Sequence, residues 1–292
     1  MLLCLVTGAF DAQFTYFNEI CGELSDTLGD TFTDVEIIND TIYTYAAYAD
    51  PSGQYLQLKK YDRTGELIIS KEFELDNNTT YFIEFKYSYV KDNNSENLYF
   101  SFGLSDSISS RGIVGKVNED LDTLWTKQYD HYNPHTYLRG NLDIDDGIIL
   151  VGEIESDGSQ RGTMLTKIDY DGIIIWDEVL GHANGNINRN ANVIRKGGYL
   201  FLGGSVRSDG ILVGLLTKTD LNGNVLWENF YDDSQEPIET NSSSYTVEIL
   251  DSGDAISVNS VDNESAGPST LDWYIKVIVN KVDFENDSIY WE

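Results

Sequence analysis

The chain repeats one ten-residue pattern three times at a constant spacing of 51 residues. The pattern runs from a lysine to a tryptophan, over residues 116–125, 167–176 and 218–227. A weaker copy at 60–69 has isoleucine in place of the tryptophan, and another at 281–291 has one residue inserted. A chain with five such copies is expected to fold as a row of stacked supersecondary units, because one short unit cannot bury both of its faces alone.

Each motif indicates a β-hairpin. The pairs Asp171-Gly172 and Asn222-Gly223 tolerate positive φ and favour tight turns between antiparallel strands. The run Ile173–Trp176 after the first of these turns is typical of an apolar strand. Leu121 stands where the neighbouring copies have glycine, so a different turn is expected in that copy.

A second hairpin precedes each motif. In the fourth copy it comprises Asn192–Arg195, a Lys-Gly-Gly turn and Tyr199–Gly203. Each copy is therefore predicted to contain four short strands. The runs Ile148–Val151 and Leu200–Leu202 are apolar on both faces, which predicts strands covered from both sides.

Four antiparallel strands in about 50 residues, repeated in tandem, predict an all-β fold of the β-propeller type with about five four-stranded blades. Trp125, Trp176 and Trp227 recur once per copy and are expected to anchor neighbouring blades to one another, rather than to form a platform for a sugar or a ring cofactor. The predicted copies cover residues 30–78, 79–132, 133–183, 184–240 and 241–292.

The ring is predicted to be either closed, incomplete or part of a longer array. Phe14–Asn18 resembles the last strand of a blade, but no copy precedes it. This strand either completes the last blade or belongs to a further repeat. Residues 13–292 are expected to form a single repeat domain.

Residues 1–12 are apolar and predict the remnant of a secretory signal, with a cut after Ala9 or before Gln13. The alternative is an ordinary buried strand. Removal of this segment would take Cys4 away and leave Cys21 as the last cysteine, so that no disulfide could form. No other stretch is long and apolar enough to cross a bilayer.

The composition is strongly acidic, with 49 Asp and Glu against 19 Lys and Arg and a formal net charge of −30. Such a chain repels phosphate backbones and anionic lipid head groups, which excludes nucleic acids and membrane surfaces as partners. The charge suits a protein that is secreted or lies on the outer cell surface.

The fourth copy combines Gly197–Gly204, the loop Ser208–Gly210 and the pattern Leu-Thr-Lys-x-Asp-x-x-Gly-x-x-x-Trp. This combination resembles the propeller-type repeats of secreted bacterial surface proteins. The resemblance covers roughly residues 30–292 and implies a repeat fold and export, but no particular activity. Quinoprotein propellers share Gly-x-x-x-Trp, which leaves a quinone cofactor open.

Two segments could hold a metal ion. His131 and His135 flank a proline, with Asp130 as the nearest further ligand, but a plain loop between blades is the alternative. Asn141–Gly147 resembles a calcium loop, although its glycine is one place late and the distal glutamate is absent. A hairpin turn is the competing interpretation of this segment.

The polar connectors 182–190 and 232–244 differ between copies, which suits either a binding surface or plain insertions. The sequence contains no recognisable catalytic arrangement, so the catalytic residues are unknown and no cofactor is expected, calcium being the one kept open. We predict a non-enzymatic binding or scaffold module for an unknown protein or glycan. The alternative is a secreted propeller enzyme that is glycan-active or quinone-dependent.

Overall fold

The structure, a computed structural model, describes residues 31–50, 53–75, 89–92, 95–105, 109–129, 135–156, 160–181, 188–208, 211–231, 240–249, 255–263, 275–283 and 288–291. Phe14–Asn18, Cys4, Cys21 and the predicted signal remnant lie outside these residues. No helix within the described residues has the length and apolar character that crossing a membrane would require.

The described residues form twenty strands in five successive groups of four. The first group comprises β1 (Thr31–Ile38), β2 (Thr41–Asp50), β3 (Gly53–Tyr61) and β4 (Leu67–Leu75). The second comprises β5 (Tyr89–Lys91), β6 (Leu98–Ser105), β7 (Ser110–Val117) and β8 (Thr123–Tyr129). The third comprises β9 (His135–Asp143), β10 (Ile148–Ser156), β11 (Gln160–Ile168) and β12 (Ile174–Leu180). The fourth comprises β13 (Asn188–Lys196), β14 (Tyr199–Ser208), β15 (Ile211–Asp220) and β16 (Val225–Tyr231). The fifth comprises β17 (Thr240–Ile249), β18 (Ala255–Asn263), β19 (Ile275–Asp283) and β20 (Ser288–Trp291).

Each group is an antiparallel meander in which every strand pairs with the next one along the chain. We call each group of four strands a sheet; a single parallel bridge, between Ser110 and His135, joins the second and third sheets. Both hairpins predicted for each copy are therefore present, and the prediction of four strands per copy is confirmed.

The first strands of the five groups lie next to one another. Contacts join β1 to β5, β5 to β9, β9 to β13 and β13 to β17. The last strands pair only inward within the described residues, β4 with β3, β8 with β7, β12 with β11 and β16 with β15. Sheets whose first strands converge while their last strands lie outside form a β-propeller, so the predicted fold is confirmed.

The core lies between consecutive sheets. On β10, Ile148 and Leu150 belong to a buried cluster shared with the second sheet, whereas Ile149 and Val151 belong to a cluster shared with the fourth. Leu200 and Leu202 belong to the latter cluster as well. The prediction that these runs are covered on both sides is confirmed. Full burial of each such side chain stabilises the fold by roughly 1.5–3 kcal/mol, an upper figure that assumes an extended unfolded chain.

Candidate binding surface

The turn inside each of the first four repeat motifs is organised by the side chain two residues after the motif lysine. In the third copy, Asp169 Oδ1 accepts hydrogen bonds from the backbone N–H groups of Asp171 (3.0 Å) and Ile173 (2.7 Å). Equivalent pairs of bonds are accepted by Asp62, Asn118 and Asp220. A short side chain that bonds its own backbone in this way favours a turn over a continuing strand.

Leu121 corrects the prediction of a different turn in the second copy. Its φ is +61°, in the region that Gly65, Gly172 and Gly223 occupy at the same place in the other copies. The bond from Leu121 N to Asn118 O (2.9 Å) matches the one from Gly172 N to Asp169 O. The Leu121 side chain is fully buried in the core between the first two sheets, against which Ile69 also packs. This burial offsets the roughly 1–2 kcal/mol that positive φ costs a residue with a Cβ atom.

The motif lysine and tryptophan are direct cross-strand partners, Lys116 with Trp125 and Lys167 with Trp176. Both tryptophans lie against the turn of the following copy. A Cβ atom added at Gly172 would lie 2.9 Å from the Trp125 ring, and one added at Gly223 would lie 2.9 Å from the Trp176 ring. The prediction that the tryptophans anchor neighbouring blades is therefore confirmed for these two residues.

In the first two copies the motif lysine also bonds the following copy, a role that the sequence did not predict. Lys60 Nζ donates to the backbone carbonyl of Glu119 (3.0 Å), and Lys116 Nζ donates to that of Tyr170 (2.9 Å). Both carbonyls belong to the residue just after the turn-organising side chain. The constant spacing of the lysines could have indicated this contact, because a lysine that is merely solvated has no reason to recur at one strand position.

Further side chains of the second copy bond the same turn of the third. Tyr99 Oη donates to the Tyr170 carbonyl (3.2 Å), and Tyr129 Oη donates to the Gly172 carbonyl (2.9 Å). Lys127 Nζ donates to the Asp171 carbonyl. Burial raises the pKa of the Tyr99 and Tyr129 phenols well above the usual tyrosine value. Between the first two copies, a hydrogen bond from Lys71 (2.9 Å) lowers the pKa of the Asp122 carboxyl.

We expect Lys116→Met to destabilise the folded chain by about 1.5–3 kcal/mol, the usual contribution of a hydrogen bond to a charged group. Methionine keeps most of the apolar stem but removes the donor to the Tyr170 carbonyl. Urea denaturation followed by fluorescence measures the loss. Lys59→Met is the matched control because it removes the same charge from a partly exposed position. Equal stability losses in the two variants would contradict a specific role for Lys116.

An apolar row lies on the outermost strands, just after these turns. Two adjacent, well-exposed aliphatic residues recur in the first, third and fourth copies, and the second copy has one. We call these residues the apolar edge: Leu67, Ile68, Leu124, Ile173, Ile174, Ile175, Val225 and Leu226. Their positions relative to the motif lysine are the same from copy to copy, apart from the additional Ile173. The sequence showed these positions to be apolar, but it did not show that they face outward.

Acidic side chains adjoin the apolar edge. Glu66 precedes Leu67 in the first copy. Asp122 lies in the turn before Leu124, and Asp171 lies in the turn before Ile173. These three residues are exposed, as is Glu178 on β12. The combination of exposed aliphatic and acidic side chains can bind an apolar surface that carries positive charge.

The two candidate metal sites have different outcomes. His131 and Asp130 lie outside the described residues, and of His135 only the backbone is described, as the first residue of β9. The segment Asn141–Gly147 joins β9 to β10, which confirms the hairpin interpretation. Calcium binding was the alternative kept open for this segment, and it stays untested.

The carboxylates of that hairpin turn bond protein side chains. Asp143 Oδ1 accepts from Tyr170 Oη (2.8 Å), Lys167 pairs with Asp146 (2.7 Å), and Arg195 of the fourth copy pairs with Asp145 (2.5 Å). Within the part of the chain that the structure describes, no three His, Cys, Asp or Glu side chains form a metal-binding group.

Most residues of the polar connectors 182–190 and 232–244 lie outside the residues that the structure describes. Of 182–190 the structure describes 188–190, at the start of β13, and of 232–244 it describes 240–244, at the start of β17. Their role as a binding surface stays a prediction.

Comparison with one solved structure supports the fold, and two further structures superpose with lower scores. A thermostable family-43 glycoside hydrolase superposes with a TM-score of 0.51 at 10% identity, over 90% of this chain and 93% of the hydrolase. The β-propeller domain of the Trilobed protease from Pyrococcus furiosus gives a TM-score of 0.39 at 9% identity, over 90% of this chain and 82% of that domain. An apocarotenoid oxygenase mutant from Synechocystis gives 0.49 at 10% identity, over 82% of this chain and 55% of the oxygenase. This chain thus spans about half the length of that oxygenase.

No family model matches the sequence, and no curated protein matches it. At 10% identity the likeness to the family-43 glycoside hydrolase shows the fold alone.

Proposed function

We propose that this chain is a non-enzymatic binding and scaffold module, secreted or held at the outer cell surface, that binds a protein through the apolar edge. The observation that carries the proposal is the recurrence of exposed aliphatic side chains at one strand position in four copies. Single exposed aliphatic residues are ordinary on protein surfaces, but adjoining exposed aliphatic residues rimmed by polar side chains are typical of an interaction site.

The expected binding energies favour a surface that contacts its partner at several copies at once. Each of these side chains is already about half covered, so covering the rest adds roughly 1 kcal/mol. One pair alone would bind weakly. Several pairs on one rigid array, engaged by one partner or by a partner with repeats of its own, raise the overall affinity without any new kind of contact.

The tight contacts between sheets support the scaffold part of the proposal. Two motif lysines, Lys60 and Lys116, and two motif tryptophans, Trp125 and Trp176, contact the turn of the next copy, which maintains the spacing between these copies. The extracellular location rests on the apolar start, the charge of −30 and the resemblance to surface-protein repeats. It would be tested by following the chain in fractionated cells.

A four-site variant alters the position that the four copies share: Ile68→Thr, Leu124→Thr, Ile175→Thr and Leu226→Thr. Threonine keeps a high β propensity, so the strands are retained while the shared aliphatic side chains are lost. A random peptide library would be selected on the unaltered protein, and the selected peptides would then be measured against the variant. We expect their affinity to fall by about tenfold or more.

Ile37→Thr is the matched control, because Ile37 is 51% exposed but lies on β1, away from the outer strands. Circular dichroism and thermal unfolding check that the variants remain folded. Peptides that bind the four-site variant as tightly as the unaltered protein would refute the apolar edge as the binding surface.

The second candidate is a glycan-active propeller enzyme. It is favoured by the likeness to the family-43 glycoside hydrolase, which extends over nearly the whole of both chains. Incubation with a panel of aryl glycosides decides between the two functions. Hydrolysis above the rate of a heat-unfolded sample would establish the enzyme and refute the non-enzymatic role.

A further inference from the structure

The outer strand of the third sheet, β12, differs from the other members of the apolar edge. Ile173, Ile174 and Ile175 are 60%, 42% and 51% exposed, and Val179 further along the strand is 43% exposed. Ile173 directly precedes the strand, and the series is the longest among the outer-strand side chains whose exposure the structure describes.

The backbone of β12 is paired on one side. Its register with β11 runs from Ile174 opposite Ile168 to Leu180 opposite Thr163, and no other described strand pairs with it. An outer strand of this kind presents N–H and C=O groups that can pair with an added strand.

Lysines that commonly protect such an edge are missing from β12. The first and second sheets carry Lys71 and Lys127 on their outer strands, each bonded to the turn of the next copy. The position on β12 that corresponds to Lys127 is Glu178, and β12 contains neither lysine nor proline. Lysine and proline on an outer strand oppose pairing with other chains, so β12 is the least protected of these three outer strands.

Charge decides what can pair there. Asp171 and Glu178 are exposed beside the isoleucines, and the chain as a whole carries −30. A second copy of this chain would bring the same charge and be repelled, whereas a cationic segment is attracted.

From these observations we infer that β12 binds an extended polypeptide segment of alternating basic and apolar residues, which adds to the third sheet as a further strand. Main-chain hydrogen bonds to the outer side of β12 provide affinity, and the isoleucines and acidic residues select the side chains. The inference rests on the proposed binding function and names the class of partner for this one copy.

Three synthetic peptides test it: a short peptide of alternating lysine and valine, the same peptide with alternate backbone nitrogens methylated, and a peptide of alternating glutamate and valine. Affinities are measured by fluorescence anisotropy at low salt, and the location is measured by hydrogen exchange of the backbone amides. We expect the lysine peptide to bind and to protect β12. Methylation or glutamate should weaken binding by about tenfold or more, because main-chain pairing and charge attraction are lost.

The matched variants are Glu178→Lys and Glu72→Lys, which change the charge equally. Glu178→Lys gives β12 the lysine that β8 has, a residue that the fold tolerates at this position, whereas Glu72 is an exposed residue of β4. We expect Glu178→Lys to weaken binding of the lysine peptide by about tenfold, and Glu72→Lys to leave it within about twofold. Thermal unfolding verifies both folds, and Ile175→Lys replaces Glu178→Lys if that variant unfolds.

Equal binding of the methylated peptide, equal losses in the two variants, protection away from β12, or self-association of the protein would each overturn the inference. The four-site threonine variant separates it from the broader proposal. If the selected library peptides lose affinity for that variant while the lysine peptide does not bind, the apolar edge is a binding surface and strand addition at β12 is wrong.

Discussion

Replacing Gly172 by leucine is expected to destabilise the fold by about 4 kcal/mol, and replacing Trp125 by isoleucine in the same chain should recover about 1–3 kcal/mol of that loss. Two effects destabilise any side chain at Gly172, namely backbone strain and steric overlap. The residue has φ of +75°, and an added Cβ atom would lie 2.8 Å from Lys127 Cδ and 2.9 Å from Trp125 Cη2. Strain at positive φ and overpacking each cost about 1–3 kcal/mol.

The recovery is expected because the chain already contains the exchanged pair. At the preceding junction between copies, Leu121 stands at the glycine position with φ of +61°, and Ile69 stands at the tryptophan position. Both contribute to one buried cluster. At this junction an isoleucine is combined with a leucine, whereas at the next junction the larger Trp125 ring lies against Gly172.

A double-mutant cycle on Trp125→Ile, Gly172→Leu and the combination measures the coupling by urea denaturation. Gly197→Ala is the control for backbone strain alone, since Gly197 has φ of +58° and nothing lies within 4 Å of an added Cβ atom. It should cost about 1 kcal/mol and be unaffected by Trp125→Ile. Additive losses in the cycle would show that the two junctions are not equivalent.

The sequence predicted the features of the fold that depend on a local pattern of residues. The spacing of the lysines and tryptophans gave the repeat, Asp-Gly and Asn-Gly gave the turns, and the doubly apolar run Ile148–Val151 gave a strand between two layers. The prediction for Leu121 was wrong because the turn type depends on the preceding sheet, against which the side chain is buried, as well as on the residue's own preference.

The candidate binding surface could not be predicted from the same patterns. Ile173–Ile175 and Ile148–Val151 are both aliphatic runs, yet the first is exposed and the second is fully buried. The difference arises because β12 is the outer strand of its sheet and β10 is an inner one, with a neighbouring sheet on each face. That position is set by the stacking of copies far apart in the sequence, which a local pattern does not contain.

A steep loss of stability above pH 10 is the second large effect that we expect. Tyr99 and Tyr129 are buried, and their hydroxyl groups donate to the backbone carbonyls of Tyr170 and Gly172 in the next copy. Burial raises the pKa of both phenols in the folded chain. Ionisation would remove the donated proton and place a phenolate against a carbonyl oxygen, in surroundings with little water.

The direction follows from proton linkage. A phenol whose folded pKa lies above the unfolded value, about 10, contributes stability that is fully present below pH 10 and is lost as the pH rises toward the folded pKa. Each such tyrosine makes the free energy of unfolding fall by about 1.4 kcal/mol per pH unit in that range. Two of them at one junction between copies should therefore produce alkaline unfolding within a narrow range of pH.

Urea denaturation at a series of pH values from about 8 to 11.5 measures the slope. Tyr99→Phe and Tyr129→Phe should each lower stability at neutral pH by about 1 kcal/mol, through the lost hydrogen bond, and each should make the decline above pH 10 less steep. Tyr199→Phe, on a ring that is 43% exposed, is the matched control and should keep the steep decline. An unchanged slope in both buried variants would mean that alkaline unfolding does not begin at this junction, and that the hydroxyl contacts between the second and third copies contribute only at neutral pH.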